Sequence, residues 1–321
     1  MLKVYKSAPE LVPAELNEAG IWVNMVNPTP FELEQVTTTL GIARHLLEAV
    51  LDNDERSHID ILQGQALIAI NVPFLHETEE PDAEHNLLYD AIPLGIILSP
   101  RAVITVCLEE APGLAKLISR RLPDVATDQH MGLVAHLLYA TASQYLTHLK
   151  QMGARANELE RRVLRATSNA QVVELLSMEK SLTYFRAACH ANEMVIKEMQ
   201  KADQTPALTE LLSDLDVNRH LLDRALIENK QAIEMCEVLR DVLCSMANAF
   251  ASLTSNNLNI AMRFLTSLTI VISFPTLVAS IYGMNVNLPF QQWHNAFMVV
   301  MVISLLSTIG SAVYLVRKGM F

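Results

Sequence analysis

Counting back from Ser280, the residues Thr276, Ser273, Thr269, Thr266, Met262, Asn259, Ser255, Ser252, Asn248, Ser245 and Asp241 follow at alternating intervals of four and three. On an α-helix that spacing makes one stripe, and nearly all of its members are small and polar. They offer hydroxyl and amide oxygens, with no formal charge above Asp241. A Ser/Thr stripe inside a membrane span can serve close helix packing through local hydrogen bonds. Around an oligomer axis the same stripe lines a water-filled pore. Its continuation as Asn, Ser and Asp for about five more turns favours the pore, because a dry seam has no use for those side chains.

The element carrying the stripe is legible from what it lacks. Between Leu211 and Ile281 there is no glycine, and Pro275 is the sole proline. Such a stretch predicts one helix beginning near Thr209 and about 70 residues long, roughly 100 Å at 1.5 Å per residue and far more than a membrane span. A lone helix of that length is unstable, so it must pack against copies of itself or against preceding helices. Between Arg263 and Arg317 lie 53 residues without Asp, Glu, Lys or Arg. Two apolar runs fit there, 264–284 and 296–316, each matching the ~20 residues needed to cross ~30 Å of hydrocarbon. The N-terminal residues contain no apolar run resembling a signal peptide, which leaves targeting to the two spans. The segment 285–295 holds no Lys or Arg, whereas both outer flanks do. An integral protein of the cell (inner) membrane is therefore expected, with cytoplasmic N- and C-termini and an external loop.

Composition separates two chemistries. Residues 251–321 carry Arg263, Arg317 and Lys318 and no carboxylate, while the first 250 carry 21 basic and 35 acidic residues. A net charge of −14 there argues against a nucleic-acid partner and for a domain that attracts cations. Enzymatic signatures are missing. No two of the ten glycines are closer than nine positions, so no glycine-rich phosphate loop or dinucleotide fingerprint is present. His58, His76, His85, His130 and His136 sit among unlike neighbours and read as surface or structural groups. Cys107, Cys189, Cys236 and Cys244 form no zinc spacing and read as core thiols of a reducing compartment.

The first ~125 residues alternate short β-rich runs with helical ones. Ile21–Val26, Gln65–Phe74, Ile92–Leu98 and Ala102–Leu108 read as strands, the last two joined as a hairpin through Ser99, Pro100 and Arg101. Thr29 caps a helix running toward Leu40, with Pro30 at its first position and Glu32 in its first turn. Segments 128–167 and 170–201 read as an antiparallel helix pair. The expected organisation is an α+β cytoplasmic domain over 1–125, a helical domain and stalk over 126–258, and a transmembrane domain over 259–321.

The first span ends Ile281-Tyr282-Gly283-Met284-Asn285. A Gly-Met-Asn triplet preceded by Tyr and placed between two C-terminal spans resembles the CorA family of magnesium transporters, and the resemblance covers the whole chain. Further matching stretches are Pro275–Ser280 and Leu51-Asp52-Asn53-Asp54-Glu55-Arg56. The resemblance implies a funnel-shaped homopentamer whose first spans surround a central pore. Tyr282, Gly283, Met284 and Asn285 would then form the selectivity filter at its outer mouth. Asn248, Asn259, Met262, Thr266, Thr269, Ser273, Thr276 and Ser280 would line the pore below. Mg²⁺ would be both the transported and the regulatory ion, with Co²⁺ and Ni²⁺ as further cargo. Mg²⁺ dehydrates reluctantly, and amide oxygens at Asn285 can accept hydrogen bonds from its waters without stripping them.

The chain departs from its relatives in two places. The loop 286–295 lacks the acidic residue many relatives carry, and Asn248 stands where an acidic residue is common. A zinc-transporting relative shares the architecture but typically shows Val where Met284 stands, and a non-transporting scaffold would not explain the stripe. Five copies would gather about −70, and Asp52, Asp54, Glu55, the run Glu77–Glu84, Asp214, Asp216 and Asp223 are candidates for bridging by cytosolic Mg²⁺.

Overall fold

The computed structural model describes residues 1–7, 11–62, 64–75, 89–110, 126–163, 169–212, 215–286, 289 and 293–320. The chain divides into two compact units, Met1–Ala247 and Asn248–Phe321. Among the described residues the first unit is built on one seven-stranded sheet in the order β2-β1-β3-β7-β6-β5-β4. The strands are β1 (Leu2–Ser7), β2 (Leu11–Pro13), β3 (Ile21–Val26), β4 (His58–Leu62), β5 (Gln65–Leu75), β6 (Tyr89–Leu98) and β7 (Ala102–Cys107). The expected hairpin joins β6 to β7, with Leu98 opposite Val103. β3 lies parallel to β7, Ile21 opposite Ala102, and every other pairing is antiparallel.

Side chains of a strand alternate between its faces, and here both faces are buried. Ala66, Ile68, Ile70 and Val72 of β5 join one core with Trp22 and the large helices, while Leu67 and Ala69 join the other with Ile21, Val23 and Met25. The second face is covered by α1 (Pro30–Leu40) and α2 (Arg44–Ala49). Thr29 and Glu32 form a reciprocal capping box at the start of α1. The hydrogen bond from the Thr29 backbone N–H, first among its contacts, holds the Glu32 carboxyl below the usual carboxylate range. Gly95 of β6 is needed by α2: a Cβ there would lie 2.6 Å from Val50 Cγ2.

The first face carries α3 (His130–Val163) and α4 (Asn169–Met199). Buried polar groups fix α4 against the sheet. Asn192 Oδ1 accepts hydrogen bonds from Ser57 Oγ and from the Asn71 backbone N–H, each at 2.9 Å, and Asn192 Nδ2 donates to the Asn71 carbonyl at 2.7 Å. Toward the other end of α4, Arg155 and Arg162 enclose the buried Glu174 carboxylate at 3.1 and 3.0 Å. Burial pushes the Cys107 thiol up to about 11 and, against the opposing pull of the Arg186 guanidinium, the Cys236 thiol up to about 12. Cys189 is buried as well, but Cys244 is exposed, which corrects its assignment as a core thiol.

The long helix does not begin near Thr209. A short α5 (Pro206–Leu211) ends where Leu212 leaves helical geometry, and α6 (Leu215–Tyr282) runs for 68 residues with Pro275 inside it. His130 at the start of α3 makes a 3.3 Å hydrogen bond to the Leu211 carbonyl at the end of α5. The second unit consists of the later part of α6 and α7 (Ala296–Arg317). Both helices are long and apolar enough to cross a membrane.

Candidate functional site

Within the second unit the surface of α6 sorts into faces. Ser267 is fully buried, and Val271, Pro275, Val278 and Tyr282 are half-covered. At about 100° per residue these five share one face, centred roughly 180° from Thr266, Thr269, Ser273, Thr276 and Ser280. The five on the opposite side are exposed, as are Leu265, Leu268, Ile272, Leu277 and Ile281 on the flanks. On α7 the less exposed face is Ser304, Ser307, Thr308, Ser311 and Leu315. Small hydroxyl-bearing residues of this kind suit close helix packing. Three of these donors are satisfied inside α7, Thr308 and Ser307 giving theirs to the Ser304 carbonyl and Ser311 to that of Thr308, all at 2.8 Å.

The stripe is therefore the polar part of the α6 surface left open in one chain. Its hydroxyl protons point along the helix: Thr269 donates to the Leu265 carbonyl and Ser273 to that of Thr269 at 2.8 Å, and Thr276 to that of Ile272 at 2.9 Å. A hydroxyl has one donor and two acceptor lone pairs. With the donor engaged by the backbone, the outward side offers acceptors only. A hydrated cation presents the opposite, because its waters turn their oxygens to the metal and their protons outward. Met262 and Asn259 continue the exposed stripe, and Asn248, Ser245 and Asp241 are exposed below them.

The triplet closes the helix. Gly283 N–H donates to the Ala279 carbonyl at 2.9 Å and Met284 N–H to that of Ile281 at 3.2 Å. A Cβ on Gly283 would stand 3.3 Å from the Ala279 carbonyl oxygen, so any larger residue crowds this last turn. Met284 and Asn285 are exposed. Tyr282 lies on the face of Ser267 and Val271, away from the stripe, and its hydroxyl donates to the Pro289 carbonyl at 3.5 Å.

Of the cation-bridging candidates, Asp52, Asp54, Glu55 and Asp223 lie among the residues whose side chains are described. Asp52 and Asp54 are exposed on a turn in which Asp52 Oδ1 accepts the Asp54 N–H at 3.1 Å, and Glu55 sits 3.4 Å from His58 Nδ1. Asp223 is exposed and accepts a 2.7 Å hydrogen bond from Gln200. Among the described residues no three His, Cys, Asp or Glu side chains are disposed to hold a metal. Asp214 and the run Glu77–Glu84 lie outside the described residues, as does the side chain of Asp216. Sequence reasoning missed the buried Ser267 and the hydroxyl face of α7. The i, i+4, i+8 spacing of Ser267, Val271 and Pro275 is the signal that could have found the first.

A family model described as CorA-like Mg2+ transporter protein matches residues 17–318. The chain belongs to the CorA family. It is 25% identical over 304 residues to a cobalt/magnesium transport protein CorA of Methanocaldococcus jannaschii, covering 93% of this chain and 90% of that one. A magnesium transport protein CorA of Helicobacter pylori is 27% identical over 314 residues, covering 95% and 92%. The complete structure of the CorA magnesium transporter from M. jannaschii superposes with a TM-score of 0.81 at 22% identity, covering 100% of this chain and 99% of that one. The CorA fold thus extends over the whole chain, α/β domain, long helix and C-terminal apolar helix alike, and the family is one of divalent-cation transporters.

Proposed function

We propose that this CorA-family chain assembles as a homopentamer and conducts hydrated Mg²⁺ inward through a pore lined by the α6 stripe, with Gly283, Met284 and Asn285 at the external mouth. The observation that carries the reading is the line of outward acceptor oxygens at Thr269, Ser273 and Thr276, on the side of α6 opposite Ser267, running up to the triplet. Acceptors without charge suit an ion that keeps its water shell. Weak, repeated sites suit conduction, whereas a carboxylate ring would retain a divalent ion. The names of the relatives from M. jannaschii and H. pylori support Mg²⁺ as cargo, with cobalt as a second candidate. In this reading the first unit and both termini are cytoplasmic. Its acidic residues, Asp52, Asp54, Glu55, Asp214, Asp216 and Asp223 included, bind internal Mg²⁺ between subunits and favour the closed state.

The test is flux of Mg²⁺, Co²⁺, Ni²⁺ and Zn²⁺ into proteoliposomes, with and without a proton gradient, beside a mass measurement in mild detergent. Mg²⁺ flux independent of the gradient and a mass of five chains are expected. A monomer, or flux of Zn²⁺ alone, refutes the proposal.

A further inference from the structure

The hydroxyls of Thr269, Ser273 and Thr276 donate to their own helix, and those of Ser307, Thr308 and Ser311 do the same on α7. Ser267 does not. It is fully buried, and its Oγ donates to the carbonyl of Met320, 53 positions on, at 3.1 Å. That carbonyl is presented by a built turn. Gly319 adopts φ +68°, its N–H donates to the Val316 carbonyl at 3.0 Å, and the Met320 N–H donates to the Leu315 carbonyl at 3.1 Å. This pair of bonds is the Schellman arrangement that ends a helix on a left-handed glycine. Leu315, on the first turn of the motif, is buried. The formal charges nearest in sequence to the contact are Arg263, one turn before Ser267, and Arg317 and Lys318 in the turn itself. The contact therefore sits at the charged edge of the apolar segments, where a span meets water.

We infer that the turn after α7 is a latch on α6, and that Ser267 and Gly319 are positioning residues for conduction. A span held only by apolar contacts can rotate against its neighbour at little cost, whereas a directed hydrogen bond to a fixed carbonyl selects one rotation. With Ser267 turned to the latch, Thr269, Ser273 and Thr276 are turned away from it. Gly319 contributes through its backbone alone, since a Cβ there would meet nothing within 4 Å while φ +68° disfavours any other residue. The inference rests on the pore reading, and the experiment separates their failures.

In full-length protein carrying Cys244→Ser, Thr269→Cys and Val271→Cys are introduced separately as reporters and reacted with a membrane-impermeant thiol reagent. The latched protein is expected to label at position 269 at least ten-fold faster than at 271. Adding Ser267→Ala or Gly319→Ala should bring that ratio to about three-fold or less and lower Mg²⁺ flux in the reporter-free protein, while Ser267→Thr, which keeps the hydroxyl, preserves both. An unchanged ratio in both latch variants overturns the inference and leaves the pore standing. Equal labelling at 269 and 271 before the latch is touched overturns the pore reading itself. Loss of assembly on Ser267→Ala also counts against the inference, because the contact would then be a general stabilising element and not a setting of rotation.

Discussion

Thr276 and Thr308 form a matched pair for testing the pore. Each donates its hydroxyl to the carbonyl four residues earlier, Thr276 to Ile272 at 2.9 Å and Thr308 to Ser304 at 2.8 Å, and each lies in a long apolar helix. Replacing either by Val keeps the side-chain shape and removes one oxygen with its hydrogen bond to a backbone carbonyl. The effects on helix geometry and membrane insertion should therefore cancel in the comparison. What differs is the face: Thr276 is exposed on the α6 stripe, and Thr308 is half-covered on the inner face of α7. A net hydrogen bond is worth about 0.5–1.5 kcal/mol. A hydrated ion that loses two acceptors of one ring loses about 1–3 kcal/mol, and a valine ring also favours dewetting. At 1.36 kcal/mol per decade, Thr276→Val should slow Mg²⁺ flux by roughly 5- to 150-fold. Thr308→Val should change it by less than about two-fold, on the same energy scale. The assay is Mg²⁺ entry into proteoliposomes read by an entrapped fluorescent indicator, normalised to reconstituted protein. Equal rates for the two variants would refute the assignment of the stripe to the pore.

At the triplet, Asn285→Ala and Gly283→Val are expected to lower Mg²⁺ uptake at least ten-fold with assembly intact by size exclusion, and Asn259→Ala to have a milder effect. In the first unit, Asn192→Leu deletes three hydrogen bonds, two joining α4 to Asn71 of β5 and one to Ser57 just before β4. A loss of about 2–4 kcal/mol follows, measurable as a drop of several degrees in thermal unfolding of the full-length protein. The thiols pushed up to about 11 at Cys107 and about 12 at Cys236 stay protonated at pH 8. Since the thiolate is the reactive form, alkylation of native protein read by mass spectrometry should modify Cys244 and spare the other three. Limited proteolysis with Mg²⁺ or with EDTA should differ in rate if cytosolic Mg²⁺ compacts the assembly, and identical cleavage would remove that regulatory reading.

The parts legible in the sequence were those governed by local periodicity or local chemistry. The two-faced apolar run of β5, the hairpin at Ser99 and the capping box at Thr29 all declare themselves within about a dozen residues. β1 and β4 do not. Lys3, Lys6, His58 and Asp60 interrupt their alternation, because both are partly exposed strands near the sheet's edges. The parallel pairing of β3 with β7 joins residues some 80 positions apart, and no local pattern encodes a partner at that distance. The same limit hid Ser267, whose acceptor is fixed by a turn at the other end of the second unit.

The stripe itself shows how far periodicity can be carried. A strict alternation of four and three is a 3.5-residue repeat, and on a straight 3.6-residue helix such a repeat drifts by about 20° per heptad. From Thr266 to Ser280 the drift is about 40°, so those residues share a face whatever the helix does. From Ser280 down to Ser245 it reaches about 100°. A straight α6 would carry Ser245 and Asp241 round toward a flank, and only a left-handed supercoil of neighbouring copies would keep them on the axis. The membrane part of the stripe therefore stands on spacing alone, whereas the place of Asn248, Ser245 and Asp241 depends on how the helices wind about one another. A thiol-labelling scan by cysteine substitution along α6 distinguishes the two. Protection following the 3.5-residue stripe as far as Ser245 means supercoiled helices, and protection that shifts to a neighbouring face below Asn259 means straight ones.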